Sequence, residues 1–210
     1  MIRSYRELDD SHIDALCELG SIGAGNAATA LSNMLSDTVR ISVPSVILLG
    51  YSDIINMVGD PEDTRVTVMI RFDGDVQGVV LFVIGCDEAR DIADLLIENI
   101  SGECSAADTS AISDMQLSAI KETGNIVGSS YLGAVSAMTG FNINISVPQA
   151  AVDMVGASMS AAMSEFSAGN DGMFLIDGIF LADARRLDSH VILFADVPSL
   201  NSILDRLGAG

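Results

Sequence analysis

Lysine is almost absent from this chain, which has one lysine, Lys121, and nine arginines among its 210 residues. Aspartate and glutamate number 29, so the formal net charge is −19. A surface this acidic repels phosphate backbones and anionic lipids, which argues against nucleic-acid and membrane-surface partners. The acidity indicates either solubility in a salt-rich setting or attraction to a basic patch on a protein partner.

Cysteines and long apolar runs are also scarce. Cys17, Cys86 and Cys104 show neither metal-ligand spacing nor a disulfide framework, which suits a reducing cytoplasm. No apolar run is long enough for a membrane span, and the N-terminus lacks the apolar core of a signal peptide. The sequence shows no catalytic nucleophile with an accompanying base and orienting group, and it shows no cluster of metal-binding residues. We therefore expect a cytoplasmic protein without membrane insertion or a metal of its own.

The order of predicted elements in the first half of the chain recurs in the second half. Each half begins with apolar residues at helical spacing and continues with alternating apolar residues typical of strands. Asp9 or Ser11 can cap the first helix, and Ser113, with Gln116 in capping-box position, caps its counterpart. The predicted helices cover about 11–36, 53–58, 87–100, 113–138, 157–166 and 198–207, and the predicted strands cover 40–49, 65–72, 76–84, 142–154, 173–181 and 189–196. Asp73-Gly74 is predicted to be a two-residue hairpin turn between the second and third of these strands.

A repeated tetrapeptide indicates a tandem duplication. Ile-Ser-Val-Pro occurs at 41–44 and again at 145–148, an offset of 104 residues. The same offset aligns Asp14 with Ser118, Glu18 with Glu122 and Ser21 with Asn125. We therefore predict an α/β (α+β) fold with pseudo-twofold symmetry, a largely antiparallel sheet, and two equivalent long helices lying side by side. The chain, 1–210, is expected to be one domain of two repeats, at about 9–100 and 113–207, with a linker near 101–108.

The glycine-rich stretch at 20–25 has two interpretations. Its spacing resembles a phosphate-binding or dinucleotide-binding loop, which requires a strand before the glycines and a helix after them. Here a helical pattern precedes the glycines and continues through them. The context therefore favours small residues that allow close helix packing.

Ser118, Glu122 and Asn125 form a polar stripe on an otherwise small and apolar helix. Their i, i+4, i+7 spacing places them on one helix face. Such a stripe is either a solvated or capping surface or a functional site, and the aligned Asp14, Glu18 and Ser21 favour function. A carboxylate and a carboxamide suit a reaction whose reactive groups are supplied by a partner. Asparagine can orient a water for in-line attack on a phosphoryl group, and glutamate can bind a cation.

The doubled motif, Asp/Ser-x3-Glu-x2-Asn with a following Ile-Ser-Val-Pro strand, resembles the CheC family of chemotaxis phosphatases. The segment 22–31, Ile-Gly-Ala-Gly-Asn-Ala-Ala-Thr-Ala-Leu, is also typical of the first helix of that family. The resemblance covers about residues 7–207, and the two copies are CheC-like within the CheC/CheX/FliY superfamily.

This resemblance implies hydrolysis of the aspartyl phosphate of the response regulator CheY. Glu122 would pair with the receiver's lysine, and Asn125 would orient the attacking water, with Ser118 and Asp14 as supporting residues. The receiver would supply the Mg²⁺, so this chain would need no cofactor of its own. The family also implies the deamidase CheD as a second partner, expected to bind around Leu200, Ile203 and Leu204 on the last helix.

The first motif departs from the family pattern because Ser21 replaces asparagine. Serine is shorter and lacks the paired amide donor and acceptor, so the site at Glu18 is expected to be weak or inactive. The departure keeps an alternative open, namely a weakly catalytic or non-catalytic binding module for CheD or the phosphorylated receiver. A monomer is expected because the duplication lets one chain supply both halves.

Overall fold

The computed structural model describes residue 2 and residues 7–42, 45–49, 51–101, 111–164, 173–177, 180–182, 185–186 and 188–210. None of the helices in these ranges combines the length and apolar character needed to cross a bilayer. The helices are α1 (Asp10–Leu35), α2 (Tyr51–Val58), α3 (Cys86–Ser101), α4 (Asp114–Thr139), α5 (Val155–Ser164) and α6 (Val197–Leu207). The strands are β1 (Val39–Ile41), β2 (Ser45–Leu49), β3 (Thr64–Gly74), β4 (Gly78–Gly85), β5 (Ile143–Ile145), β6 (Gln149–Met154), β7 (Met173–Asp177), β8 (Phe180–Ala182), β9 (Arg185–Arg186) and β10 (Ser189–Ala195).

Local capping chemistry defines both ends of the two long helices. Asp9 and Ser113 each accept a hydrogen bond from the backbone N–H three residues later, which satisfies a donor that the first helical turn leaves free. Ser36 and Gly140 end α1 and α4 in the left-handed conformation, with φ of 53° and 73°. The predicted boundaries of both helices are confirmed to within a few residues.

Strand pairing joins the two halves of the chain. All seven described ladders are antiparallel, and five of them pair a strand from the first half with a strand from the second. Strand β3 pairs with β5 and β6 on one side and with β4 on the other, and β4 pairs with β10. Strands β1 and β2 of the first half pair with β8 and β7 of the second. The repeats therefore exchange strands reciprocally, as pseudo-twofold symmetry requires.

Helices cover both faces of the central sheet. In β4, the side chains of Val80, Phe82 and Ile84 enter a core shared with α1, α3, α4 and α6. The alternate side chains of that strand, Val79 and Leu81 among them, enter a second core with α2 and α5. Because successive strand residues face opposite sides, a continuous apolar strand is the expected composition for this middle layer.

Several predicted strand boundaries were wrong. The Asp73-Gly74 pair is not a two-residue hairpin turn, because β3 continues through it to pair with β5 and the chain turns at 75–77. Gly74 has a φ of 118°, and a Cβ there would lie 2.4 Å from the carbonyl oxygen of Asn142. The predicted strands at 40–49, 142–154 and 173–181 each divide into two shorter strands. Most of the predicted linker, from 102 onwards, lies outside the described residues, as does Pro44.

Glycines allow the long helices to approach their neighbours closely. A Cβ on Gly23 of α1 would lie 2.9 Å from the Tyr131 ring, and one on Gly124 of α4 would lie 2.7 Å from Cβ of Val68 in β3. The glycine stretch at 20–25 lies within α1. The interpretation as a helix-packing segment is confirmed, and the dinucleotide loop is excluded because the glycines lie inside a helix that begins at Asp10.

Substitution of Gly124 by alanine is expected to destabilise the fold. The added methyl must displace Val68, and overpacking of this kind costs about 1–3 kcal/mol. Gly25 is the matched control, since a Cβ there meets nothing within 4 Å, and alanine gains up to about 1 kcal/mol over glycine in a helix. Urea unfolding should place the midpoint of Gly124→Ala below that of the wild type and that of Gly25→Ala at or above it. A midpoint for Gly124→Ala above the wild type would contradict this packing.

Candidate active site

The N-terminal part of α4 is anchored at its cap. The Gln116 side-chain oxygen accepts the backbone N–H of Ser113 at 2.9 Å, which completes the capping box. The Gln116 amide nitrogen donates to the Asp94 carboxylate of α3, also at 2.9 Å. With Gly124 seated on β3, these contacts hold the helix against both α3 and the sheet, so its outward face has a defined orientation.

The polar stripe of α4 lies on that outward face. Ser118 and Glu122 are exposed, and Asn125 is half-buried. The Ser118 hydroxyl donates to the backbone carbonyl of Asp114 at 2.8 Å. Within the described part of the chain, the side chains of Glu122 and Asn125 have no hydrogen-bond or ion-pair partner. An internally bonded, purely structural stripe is therefore excluded, and both groups can bind another molecule.

The corresponding stripe of α1 differs in how its third residue is used. Asp14 and Glu18 are exposed, as are their counterparts Ser118 and Glu122 on α4. The exposed Ser21 hydroxyl donates to the carbonyl oxygen of Cys17 at 2.8 Å. Its only proton is thus committed to its own helix, whereas a carboxamide offers two donor hydrogens and an acceptor. The polar stripe of α1 consequently has fewer free hydrogen-bonding groups than the stripe of α4.

The two motif-bearing helices are neighbours, as predicted from the duplication. Helices α1 and α4 pack along their length, with Gly23 against the ring and Cα of Tyr131. Tyr131 is fully buried at this contact. The fold therefore presents both stripes from a single packed pair of helices.

The predicted partner surface on α6 is corrected by the structure. Leu200, Ile203 and Leu204 are 0%, 2% and 1% exposed and belong to the core that α6 shares with α1 and α4. Side chains buried to this extent cannot contact a partner. The helical spacing of these three apolar residues is itself the sequence signal of a core-facing stripe, and their assignment to a docking surface came from the family resemblance alone.

Two of the three cysteines lie in the described part of the chain. Cys17 and Cys86 are free thiols, and burial raises the pKa of the Cys86 thiol. Among the described residues, no group of three histidine, cysteine, aspartate or glutamate side chains is arranged to hold a metal ion.

The fold and its two helix stripes define an internally duplicated α/β protein with a helix-borne motif in each half. The model of the CheC-like family matches residues 12–48 and again residues 115–151, so each match contains one of the motifs. Both halves of the chain are therefore similar to the CheC-like family.

Relatives of known structure or name are similar over most of the chain. The Bacillus subtilis (strain 168) protein named CheY-P phosphatase CheC is 28% identical over 207 residues, covering 98% of both chains. The crystal structure of Thermotoga maritima FliY superposes with a TM-score of 0.76 at 20% identity, covering 96% of this chain and 98% of that one. A chain of the CheX–CheY–BeF3–Mg²⁺ complex from Borrelia burgdorferi gives a TM-score of 0.52 at 18% identity, covering 82% and 95%. The two structural matches establish the shared fold.

Proposed function

We propose that this protein is a phosphatase that hydrolyses the aspartyl phosphate of a CheY-type response regulator. The observation that carries the proposal is the unpaired Glu122 and Asn125 side chains on the outward face of α4. The name of the Bacillus relative, which is similar over nearly its full length, supports the same activity. The Borrelia complex, in which a protein of this fold is bound to CheY, supports a receiver as the partner.

In the proposed mechanism, Glu122 binds a lysine of the receiver. A charge-assisted hydrogen bond of this kind contributes about 1.5–3 kcal/mol and fixes α4 over the receiver's phosphorylation site. Asn125 enters that site and holds a water in line with the bond between phosphorus and the aspartate oxygen. The water oxygen bonds to phosphorus, the aspartate carboxylate leaves, and inorganic phosphate is released. The receiver supplies the Mg²⁺ that offsets phosphoryl charge, and this chain supplies position and orientation.

The two sites are proposed to have unequal roles. Asn125 has the amide that the water-orienting role requires, whereas Ser21 donates its hydroxyl proton to Cys17. Glu18 can still bind a receiver lysine, because it is exposed and unpaired within the described residues. We assign most of the turnover to the site on α4 and a weak or purely binding role to the site on α1.

CheD is proposed as a second partner on the basis of the family resemblance. The burial of Leu200, Ile203 and Leu204 restricts any contact through α6 to its other side, where Asp205 and Arg206 are exposed. A monomeric state and a cytoplasmic location complete the proposal.

Catalytic turnover separates this function from the alternative of a binding module. Phosphorylated receiver is mixed with a tenfold smaller amount of the protein, and the remaining aspartyl phosphate is measured over time. A phosphatase clears many equivalents of phosphate per molecule, faster than the receiver's own hydrolysis. Protection of one equivalent would instead establish a binding module, and decay at the unassisted rate would reject the proposed activity.

A further inference from the structure

The charges on the two motif-bearing helices are very unevenly distributed. Helices α1 and α4 each contain 26 residues, and Lys121 is the only lysine or arginine in either of them. The same two helices contain five carboxylates, at Asp10, Asp14, Glu18, Asp114 and Glu122, and all five residues are exposed. The surface proposed to meet a phosphorylated receiver is therefore acidic except at one position.

That position lies beside the proposed catalytic pair. At about 100° per residue, Lys121 is about 40° from Asn125 around the helix, and Glu122 is about 60° from Asn125 on the opposite side. Lys121 and Asn125 are also separated by four residues, so their Cβ atoms are about 5–6 Å apart on adjacent turns. Asn125 thus stands between a cation and an anion on one face of α4.

The Lys121 side chain is available for an intermolecular contact. The residue is half-buried, which is typical of a lysine whose aliphatic stem packs on the protein while the ammonium group remains in solvent. Within the described residues it has no ion pair and no side-chain hydrogen bond, although Glu122 is its direct neighbour in sequence. By contrast, Arg65 and Arg90 are each paired with an aspartate.

We propose that Lys121 is a docking residue that binds the anionic rim of the phosphorylated receiver. This inference rests on the proposed function. The phosphoryl group of an aspartyl phosphate is negatively charged, so its approach to an acidic helix pair is opposed by repulsion. One cation next to Asn125 offsets that repulsion at the point where the phosphoryl group approaches α4. The equivalent position on α1, 104 residues earlier, is the uncharged Cys17, so approach to α4 is favoured over approach to α1.

The test compares Lys121→Met with Lys121→Arg on receiver dephosphorylation. A charge at the rim of an interface acts mainly on association, so Lys121→Met should raise KM about tenfold at low salt and leave kcat nearly unchanged. Lys121→Arg, which keeps the charge, should have a KM close to that of the wild type. The difference between Lys121→Met and the wild type should shrink as salt rises to about 0.5 M, because exposed charges are then screened.

Arg40→Met is the matched control. Arg40 is an exposed residue of β1, so the substitution removes the same charge from outside the two motif helices. Its KM should stay close to that of the wild type. If Arg40→Met and Lys121→Met raised KM equally, Lys121 would contribute only to the net charge of the protein. If Lys121→Met lowered kcat at unchanged KM, Lys121 would act in the chemical step. Either result would overturn the docking assignment.

A binding measurement distinguishes failure of this inference from failure of the proposed function. The affinity for receiver loaded with beryllium fluoride and Mg²⁺ is measured for the wild type and Lys121→Met by calorimetry, with no turnover required. Wild-type binding that Lys121→Met weakens about tenfold supports docking, even if the wild type hydrolyses nothing. Unchanged affinity in Lys121→Met rejects docking, even if the wild type is an active phosphatase.

Discussion

Replacement of Asn125 by alanine is expected to lower the rate of receiver dephosphorylation about a hundredfold. The carboxamide is proposed to hold the attacking water in line, and loss of such positioning has effects of this size. Receiver binding through Glu122 should persist, so the loss should appear in kcat rather than in KM. Single-turnover decay of phosphorylated receiver at saturating enzyme measures the chemical step directly.

Ser21→Ala is the control for that substitution. Ser21 occupies the equivalent position in the first repeat, and its hydroxyl proton is bound by its own helix. The same truncation there should leave turnover within about twofold of the wild type. If Asn125→Ala keeps most of the activity, or if the Ser21→Ala loss is equally large, the assignment of catalysis to α4 is wrong.

Separation of the chain into its two halves is expected to abolish folding of each half as a monomer. Five of the seven described ladders pair strands across the repeat boundary, so residues 1–105 alone would leave β1 and β2 without partners and β3 paired only with β4. Each isolated half should be unfolded or aggregated and should lack a cooperative thermal transition. The two halves expressed together should reassemble, and their circular dichroism should approach that of the intact chain.

An independently folded half would contradict this arrangement. A monomeric fragment by sedimentation, with a cooperative melt and dispersed amide resonances, would show that each repeat contains its own complete sheet. The intact chain cut by protease between 101 and 111 is a useful control, because it retains every strand while removing the covalent connection.

The helix ends and the duplicated pattern were predictable because they depend on local chemistry. Asp9 and Ser113 have short acceptor side chains three residues before a free backbone N–H, and Gly140 tolerates the left-handed conformation that ends α4. The side-by-side arrangement of α1 and α4 also followed, since their small residues require a close neighbour.

The strand exchange was not predictable from local pattern. Alternating apolar residues define a strand, but its partner is chosen by contacts far apart in sequence. At Asp73-Gly74 the residues favour a tight turn, yet pairing with β5 extends β3 through both positions. Helical spacing indicated the burial of Leu200, whereas the family resemblance placed this residue on a docking surface.

Spacing predicted the candidate site only in part. It placed Ser118, Glu122 and Asn125 on one face of α4, which is a consequence of helix geometry alone. It did not show that Glu122 and Asn125 lack internal partners or that the Ser21 hydroxyl bonds to Cys17, since side-chain partners depend on rotamers and neighbours. The spacing therefore identified the pair, and the structure indicates why the two copies differ.

The reciprocal exchange of strands makes this single chain behave as a heterodimer whose subunits are covalently joined. Helix α4 rests on β3, a strand supplied by the first repeat, through the contact between Gly124 and Val68. The first repeat is thus needed as the platform of the second even in a form whose own polar stripe is inactive. Substitutions in the polar stripe of α1 are therefore free to alter its binding partners or its activity, while deletion of that repeat would remove the support of the site on α4.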